Sequence, residues 1–166
     1  MAKLYFNYSS MNAGKSTMLL QANHNYNERG MNAQLYTSEL DTRFGNDEIT
    51  SRIGLKKKSN IFTTKTDIYS DILNKNNEVS VDCLLIDEAQ FLTKEQVTQL
   101  GMIVDKLDIP VLAFGIRTDF QGELFNGSSE LLAIADNLNE LKTICSECDK
   151  KATMVVRLDE NGDVIL

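Results

Sequence analysis

Residues 9–16 read Ser-Ser-Met-Asn-Ala-Gly-Lys-Ser, and this stretch decides how the rest of the chain is interpreted. It is a near-match to a phosphate-binding loop, in which backbone N–H groups surround the phosphates, the lysine contacts the β and γ oxygens and the last hydroxyl binds Mg²⁺. The pattern gives these roles to Gly14, Lys15 and Ser16. Strand-like residues 3–8 precede the loop and a helix-like segment follows it, so the positive end of that helix would face the phosphates.

Ser9 departs from the pattern, because the first position is ordinarily glycine. Glycine adopts a positive φ without steric cost, so a serine there implies either a different turn or a less demanding one. A match this short also arises by chance. The rest of the sequence therefore has to decide whether residues 9–16 bind a nucleotide.

Composition narrows the class of protein. A chain of 166 residues suits a single domain with one core. The net charge of −7 argues against nucleic acid as a partner, since that affinity comes from clustered Lys and Arg. The single basic run, Lys56-Lys57-Lys58, is predicted to be a solvated loop. We expect a cytoplasmic protein without a membrane partner, because no segment approaches the roughly 20 apolar residues of a membrane span and the N-terminal apolar run is too short for a signal peptide.

Apolar periodicity predicts an α/β fold with a central parallel sheet and helices on both of its faces. Residues 46–66 have no clear pattern and allow either short strands or a mobile segment. A Thr93–Gln96 capping box marks the start of one helix. In such sheets, ligands collect beyond the carboxyl ends of the strands. The predicted strands are 3–8, 34–37, 81–86 and 111–115, and the predicted helices are 18–29, 68–73 and 93–107.

An acidic pair, Asp87-Glu88, follows the apolar strand 81–86 at the same edge of the sheet as the loop. Asp87 is placed to hold Mg²⁺, directly or through water, and Glu88 to take a proton from whatever attacks the γ-phosphate. The alternative is a strand that simply ends in polar residues. The pair leaves open whether water or a substrate hydroxyl attacks, and so whether the chain is an ATPase or a kinase.

The cysteines divide into two groups. Cys145 and Cys148 form a Cys-x-x-Cys pattern, which in a reducing compartment suggests a metal before a disulfide. Cys83 lies in an apolar run and is predicted to be a small buried residue. His24 is predicted to lie on the surface of a helix.

Five motifs, in this order, resemble those of thymidine kinases of the cellular, bacterial and poxviral type. The likeness covers nearly the whole chain, and bacterial members of that family commonly have serine where this chain has Ser9. The resemblance implies a RecA-like P-loop domain that transfers the γ-phosphate of ATP to the 5′-hydroxyl of thymidine, with Mg²⁺, in nucleotide salvage for DNA synthesis. The motifs are Asn12-Ala13-Gly14-Lys15-Ser16, Asp41-Thr42-Arg43-Phe44, Ser51-Arg52-Ile53-Gly54, Asp87-Glu88-Ala89-Gln90-Phe91 and Arg117-Thr118-Asp119-Phe120-Gln121-Gly122-Glu123-Leu124-Phe125.

The resemblance also implies roles for individual residues. Glu88 would deprotonate the 5′-hydroxyl, and Lys15 and Arg43 would act near the transferring phosphate, where a fixed guanidinium offsets developing charge. Phe91 and Phe120 would enclose the thymine by stacking on it. Without the resemblance, the sequence alone would predict that both phenylalanines are core residues and that Arg43 is a surface loop residue. ATP would be bound by Ser9, Ser10, Met11, Asn12, Ala13, Gly14, Lys15, Ser16, Asp87, Glu88, Ala89 and Gln90, and Mg²⁺ by Ser16 and Asp87.

Finally, the resemblance implies a homotetramer and a division into a kinase domain, 1–141, and the start of a small zinc-binding lobe, 142–166. Cys145 and Cys148 match the first half of a four-ligand Zn²⁺ site, which no later Cys or His completes. The Asn161-Gly162 hairpin signal is followed by only a short return segment. We therefore expect an incomplete zinc-ribbon-like lobe, a chain truncated at its C-terminus, and little or no thymidine kinase activity from these residues. The alternative function is an ATP-binding module or ATPase without nucleoside kinase activity.

Overall fold

The structure is a computed structural model, and it describes residues 1–11, 13–41, 48–51 and 53–165. Strands and helices alternate along most of the chain, and a 3₁₀ turn, Ala89–Phe91, follows the strand that precedes Asp87. The helices are α1 (Lys15–Glu28), α2 (Ile68–Glu78), α3 (Lys94–Leu107) and α4 (Asn126–Ile134). The strands are β1 (Leu4–Ser9), β2 (Ala33–Ser38), β3 (Glu48–Thr50), β4 (Lys56–Lys58), β5 (Asn60–Phe62), β6 (Cys83–Ile86), β7 (Val111–Ile116), β8 (Asn137–Glu140), β9 (Thr143–Ile144) and β10 (Lys151–Ala152).

Six strands form one parallel sheet in the order β5-β2-β6-β7-β1-β8. The strand β7 lies between β1, which leads into the phosphate loop, and β6, which leads to Asp87. Neighbouring strands are about 4.8 Å apart, so the ends of β1 and β6 are separated by roughly 10 Å along one edge of the sheet. The predicted α/β fold with a central parallel sheet is confirmed.

The core lies on both faces of this sheet. In β6, Leu84 and Ile86 pack towards α2 and α3, whereas Cys83 and Leu85 pack towards α1. All of β6 is buried, as expected for a central parallel strand, and this confirms the prediction for Cys83. Asp87 therefore follows a strand that is held rigidly from both sides.

Several segments before Leu141 differ from the sequence prediction. Helix α2 runs on to Glu78, beyond the predicted 68–73. The run Lys56–Lys58 is exposed but forms a strand, β4, that pairs antiparallel with β3, so the prediction of a loop was wrong. Lysines suit an exposed edge strand because they discourage pairing with another chain. Helix α4 and edge strand β8 were not predicted, and α4 opens with the turn-forming residues Asn126 to Ser129.

The residues after Leu141 form two small antiparallel pairs. Strands β9 and β10 enclose the Cys145–Cys148 segment, and an isolated bridge joins Leu158 to Val164 around Gly162, whose φ is 88°. The turn predicted from Asn161-Gly162 is therefore present. Within the described ranges, no helix is long and apolar enough to cross a membrane.

Candidate active site

Ser9, which departs from the phosphate-loop pattern, is the last residue of β1 and pairs with Ile116 of β7. Its φ is not positive, and the left-handed conformation of the loop falls on Gly14, with φ 78°. A serine at the first position therefore carries no steric cost here, because the glycine is needed five residues later.

The N-terminus of α1 is built to receive an anion. Helix α1 begins at Lys15 without a side-chain cap and without an acidic residue in its first turn. By contrast, α2 is capped by Asp67 and α3 by Thr93, the latter in the predicted capping box, whereas α4 also lacks a side-chain cap. The first N–H groups of a helix have no intrahelical partners, and they carry the positive end of the helix dipole. A phosphate at the start of α1 would accept hydrogen bonds from these groups and would be attracted by the dipole.

The ammonium group of Lys15 is held over this loop. Its Nζ donates to the hydroxyl of Ser9 and to the carbonyl of Ser10, at 3.0 Å in each case. The Lys15 side chain therefore points back from the start of α1 to the loop that precedes this helix. A positive charge is thereby fixed where the phosphates of a nucleotide would lie.

Ser16 and Asp87 form the second part of the site. The Ser16 hydroxyl donates to Oδ2 of Asp87 across 3.1 Å, and the Asp87 side chain is almost wholly buried, at 3 % exposure. Burial raises the pKa of Asp87 and the neighbouring Glu88 carboxylate raises it further, whereas hydrogen bonds from the backbone of Glu88 and from Ser16 lower it. A buried carboxylate of this kind is stabilised in its charged form by a cation, and a hydroxyl beside it suits a hard ion such as Mg²⁺.

Glu88 has an unusual backbone for a residue with a side chain. Its φ is 53° and its ψ is 40°, in the left-handed region, which costs roughly 1–2 kcal/mol for a residue other than glycine. Its N–H donates to Asp87 across 3.0 Å, and its carboxylate accepts from Nε2 of Gln90. Strained backbone of this kind concentrates at functional sites.

Two glycines allow the turn after Glu88 to pack closely against β7 and α4. A Cβ on Gly127 of α4 would come within 2.3 Å of the Ala89 carbonyl oxygen, and a Cβ on Gly115 of β7 within 2.7 Å of Oε1 of Gln90. Neither distance is tolerable for real atoms. The turn that carries Glu88 is therefore fitted between the end of β7 and the first turn of α4.

The predicted thymine-stacking rings are both partly exposed. Phe91 meets Phe125 edge-to-face with ring centroids 5.9 Å apart, and the guanidinium of Arg157 lies 5.8 Å from the centroid of Phe120. Phe120 lies in a tight hairpin whose turn is shaped by Asp119, which accepts hydrogen bonds from the backbone N–H groups of Gln121 and Glu123.

The remaining predicted site residues are either outside the described part of the chain or differ in exposure. Asn12 and Arg43 are not among the residues that the structure describes. Met11 is exposed, and Ser10 and Ala89 are buried. Sequence reasoning missed the hydrogen bond from Gln90 to Glu88, the close contacts of Gly115 and Gly127, and Phe125 as the neighbour of Phe91. The Phe125 contact had a sequence signal, because that residue closes the last quoted motif.

Cys145 and Cys148 have free thiols. The backbone N–H of Glu147 donates to Sγ of Cys145 across 3.4 Å, and this and further hydrogen bonds from Cys148 lower the pKa of Cys145. A thiolate is the form that binds zinc. Within the described part of the chain, however, no group of three or more His, Cys, Asp or Glu residues could hold a metal ion.

A parallel sheet, a phosphate loop that runs into an uncapped helix, and a buried carboxylate beside the loop hydroxyl together define a P-loop nucleotide-binding protein. The thymidine kinase family model matches residues 2–166. The thymidine kinase of Rhodopirellula baltica is 57% identical over 165 residues, which cover 99% of this chain and 78% of that protein. The thymidine kinase of Mannheimia succiniciproducens is 56% identical over 165 residues, 99% of this chain and 84% of that protein.

The chain therefore belongs to the thymidine kinase family, and its function is that of a thymidine kinase, a phosphotransferase. Neither the alternative of a nucleotide-binding module or ATPase without kinase activity nor the expectation of little or no thymidine kinase activity is favoured. Among solved structures, the replication initiator DnaA bound to AMPPCP and single-stranded DNA matches at a TM-score of 0.45 with 19% identity, over 85% of this chain and 40% of that one.

Proposed function

We propose that the protein uses ATP with Mg²⁺ to phosphorylate the 5′-hydroxyl of thymidine, giving the nucleoside monophosphate for salvage in the cytoplasm. The observation that carries this proposal is the position of Ser16, Asp87 and Glu88. The first two share a hydrogen bond beside the phosphate loop, and Glu88 follows directly on the same turn. This arrangement suits transfer to a hydroxyl that is deprotonated next to a metal-bound triphosphate.

The loop residues and Asp87 bind the phosphates and the metal in this proposal. Lys15 would exchange its contacts with Ser9 and Ser10 for the phosphate oxygens, and the backbone of residues 9–16 would surround them. Ser16 and Asp87 would hold Mg²⁺, which when bound neutralises charge on the phosphates. The segment Asp87–Gln90 would border ATP, although the side chains of Ala89 and Gln90 are buried.

Glu88 is proposed as the general base. A carboxylate has two oxygens with about four lone-pair sites, so it can accept a hydrogen bond and a proton at once. Held by its own strained backbone and by Gln90, the carboxylate would take the proton of the 5′-hydroxyl as that oxygen attacks the γ-phosphate.

The roles of the remaining residues rest on the motifs that resemble the family. Arg43 would offset charge on the transferring phosphate. Phe91 and Phe120 would stack on the thymine, and their partial exposure supports this role, since a core ring would be fully buried. Cys145 and Cys148 would supply two zinc ligands within a small lobe, 142–166, that follows a kinase domain, 1–141.

Two further proposals concern partners. A homotetramer is proposed by family resemblance. We also propose that nucleic acid is not a partner, and the net charge of −7 supports this.

Replacement of Glu88 by Gln tests the proposed function. We expect thymidine-dependent release of ADP to fall by about 10²–10⁴-fold, because the base is lost, while ATP binding remains largely intact. Glu78→Gln is the matched control, since Glu78 is exposed at the end of α2 and should leave the rate unchanged. Release of ADP by the unmodified protein without any dependence on thymidine would overturn the proposal.

A further inference from the structure

We infer that Gln90 is a positioning residue that sets the carboxylate of Glu88 against the phosphate loop. This inference deepens the proposed function and rests on the role of Glu88 as the base.

Both ends of the Gln90 amide have a partner. Nε2 donates to Oε2 of Glu88, and Oε1 accepts from the backbone N–H of Ile116 across 3.3 Å. The orientation of the amide follows from these contacts, because a backbone N–H can only donate and a carboxylate can only accept. The side chain is 2 % exposed, so water does not compete for either contact.

The position of Gln90 is fixed by the residues packed against it. The absence of a Cβ on Gly115 makes room for Oε1 and the backbone of Gln90, and the absence of one on Gly127 makes room for the adjoining carbonyls. Ser128 of α4 donates to the carbonyl of Ile116 across 2.6 Å, so α4 is anchored to the same residue of β7 as the amide.

Ile116 connects this turn to the phosphate loop. It pairs with Ser9 in the parallel register of β7 with β1, and Ser9 in turn accepts from Lys15. A continuous path of hydrogen bonds and strand pairing therefore runs from Glu88 through Gln90 and Ile116 to the loop. A glutamate has several rotatable bonds, and catalysis requires the base to lie within about 0.5 Å of its productive position. The Gln90 amide thus connects the Glu88 carboxylate to β7, which is the neighbour of β1, the strand that leads into the phosphate loop.

The test replaces Gln90 by Met, which keeps the volume and removes both hydrogen bonds. We expect kcat for thymidine phosphorylation to fall by about 10–100-fold, since misplacement by about 1 Å costs that much, while the KM values for ATP and thymidine stay within about twofold. Gln96→Met is the matched control. Gln96 is another buried glutamine with both ends of its amide bonded, in the capping box of α3, and its loss should lower the Tm and leave kcat unchanged.

A second variant, Gln90→Glu, keeps the acceptor for Ile116 and turns the donor into a carboxylate oxygen that repels Glu88. It should lower kcat at least as much as Gln90→Met. If either soluble, folded variant retains the kcat of the unmodified protein, or loses activity only through KM, the inference is wrong.

Combination with Glu88→Gln separates this inference from the proposed function. If Gln90 acts through Glu88, Gln90→Met should not lower the residual rate of the Glu88→Gln protein further, because effects of residues that act as a unit are not additive. An equal fall in both backgrounds would overturn the positioning role. Full activity of Glu88→Gln alone would instead overturn the base itself.

Discussion

The hydroxyl of Ser16 lies 3.1 Å from a carboxylate oxygen of Asp87, although the two residues are 71 positions apart in the chain. Ser16 is in the first turn of α1, and Asp87 follows β6, with β7 between β6 and β1. The side chains close the gap that the inserted strand opens at this edge of the sheet. Two groups suited to one metal ion are thereby brought together.

Asp87→Asn should remove both a metal ligand and a pH-dependent cost to stability. The folded-state pKa of Asp87 is raised, chiefly by burial, so the folded protein binds this proton more tightly than the unfolded chain does. The free energy of unfolding of the metal-free protein should therefore fall as the pH rises above about 4, the ordinary value for aspartate, towards the raised pKa. Asparagine at this position should flatten that dependence.

Thermal denaturation in EDTA between pH 5 and pH 8 measures this effect. At pH 8 the variant should have the higher Tm, by about 2–4 °C for each kcal/mol of relief, while its Mg²⁺-dependent phosphorylation is lost. Asp105→Asn, at an exposed position of α3, is the control and should change neither property. An Asp87→Asn protein that remains fully active with Mg²⁺ would contradict the assignment of the metal ligand.

Gly127→Ala should displace the turn that carries Glu88. The new Cβ would lie 2.3 Å from the Ala89 carbonyl oxygen and 2.9 Å from two further carbonyl oxygens, so the turn must move. We expect a loss of about 1–3 kcal/mol in stability and a fall in kcat. Gly101→Ala is the control within α3, where the nearest atom would lie at an ordinary 3.8 Å. There alanine should stabilise the helix by about 0.5–1 kcal/mol without changing kcat, and equal behaviour of the two variants would contradict the close packing.

The cysteines should differ in reactivity. Hydrogen bonds from Glu147 and Cys148 lower the pKa of Cys145, which increases its thiolate fraction at neutral pH, whereas burial raises the pKa of Cys83 to about 11. Brief treatment of the metal-free protein with iodoacetamide at pH 7.5, followed by peptide mass spectrometry, should show alkylation of Cys145 and none of Cys83. Alkylation of Cys83 should require denaturant. Modification of Cys83 in the folded protein at the rate of Cys145 would be inconsistent with its burial.

Arg157→Ala should weaken thymidine binding. The guanidinium of Arg157 lies 5.8 Å from the centroid of the Phe120 ring, and a partly exposed cation–π contact of this kind contributes about 0.5–1 kcal/mol. Because the contact holds the ring in the position proposed for stacking, its loss should raise KM for thymidine by up to roughly 2–5-fold and leave KM for ATP unchanged. Lys106→Ala removes a similar contact, at 5.9 Å from the ring of Tyr69, away from the site, and should change neither KM. A rise in the KM for ATP alone would argue against Phe120 as a thymine-stacking residue.

The sequence predicted those elements whose pattern is local. Apolar runs located β1, β6 and β7, the capping box of Thr93 and Gln96 marked the start of α3, and the phosphate-loop pattern marked the start of α1. It did not predict α4, whose first residues favour turns and whose Gly127 is explained by a contact with the 3₁₀ turn. It also predicted a loop at Lys56–Lys58, because these residues form a strand only through their pairing with β3, which the sequence does not show.

By itself, then, the sequence determined the fold class, the phosphate loop and the acidic pair, because helical period, strand period and glycine placement are properties of neighbouring residues. The tertiary structure alone decided that Ser9 needs no positive φ, that Ser16 meets Asp87, and that Gln90, packed against Gly115 and Gly127, donates a hydrogen bond to Glu88. Each of these is a distance between segments that are remote in the chain. The order of strands in the sheet fixes such distances, and no local pattern encodes them.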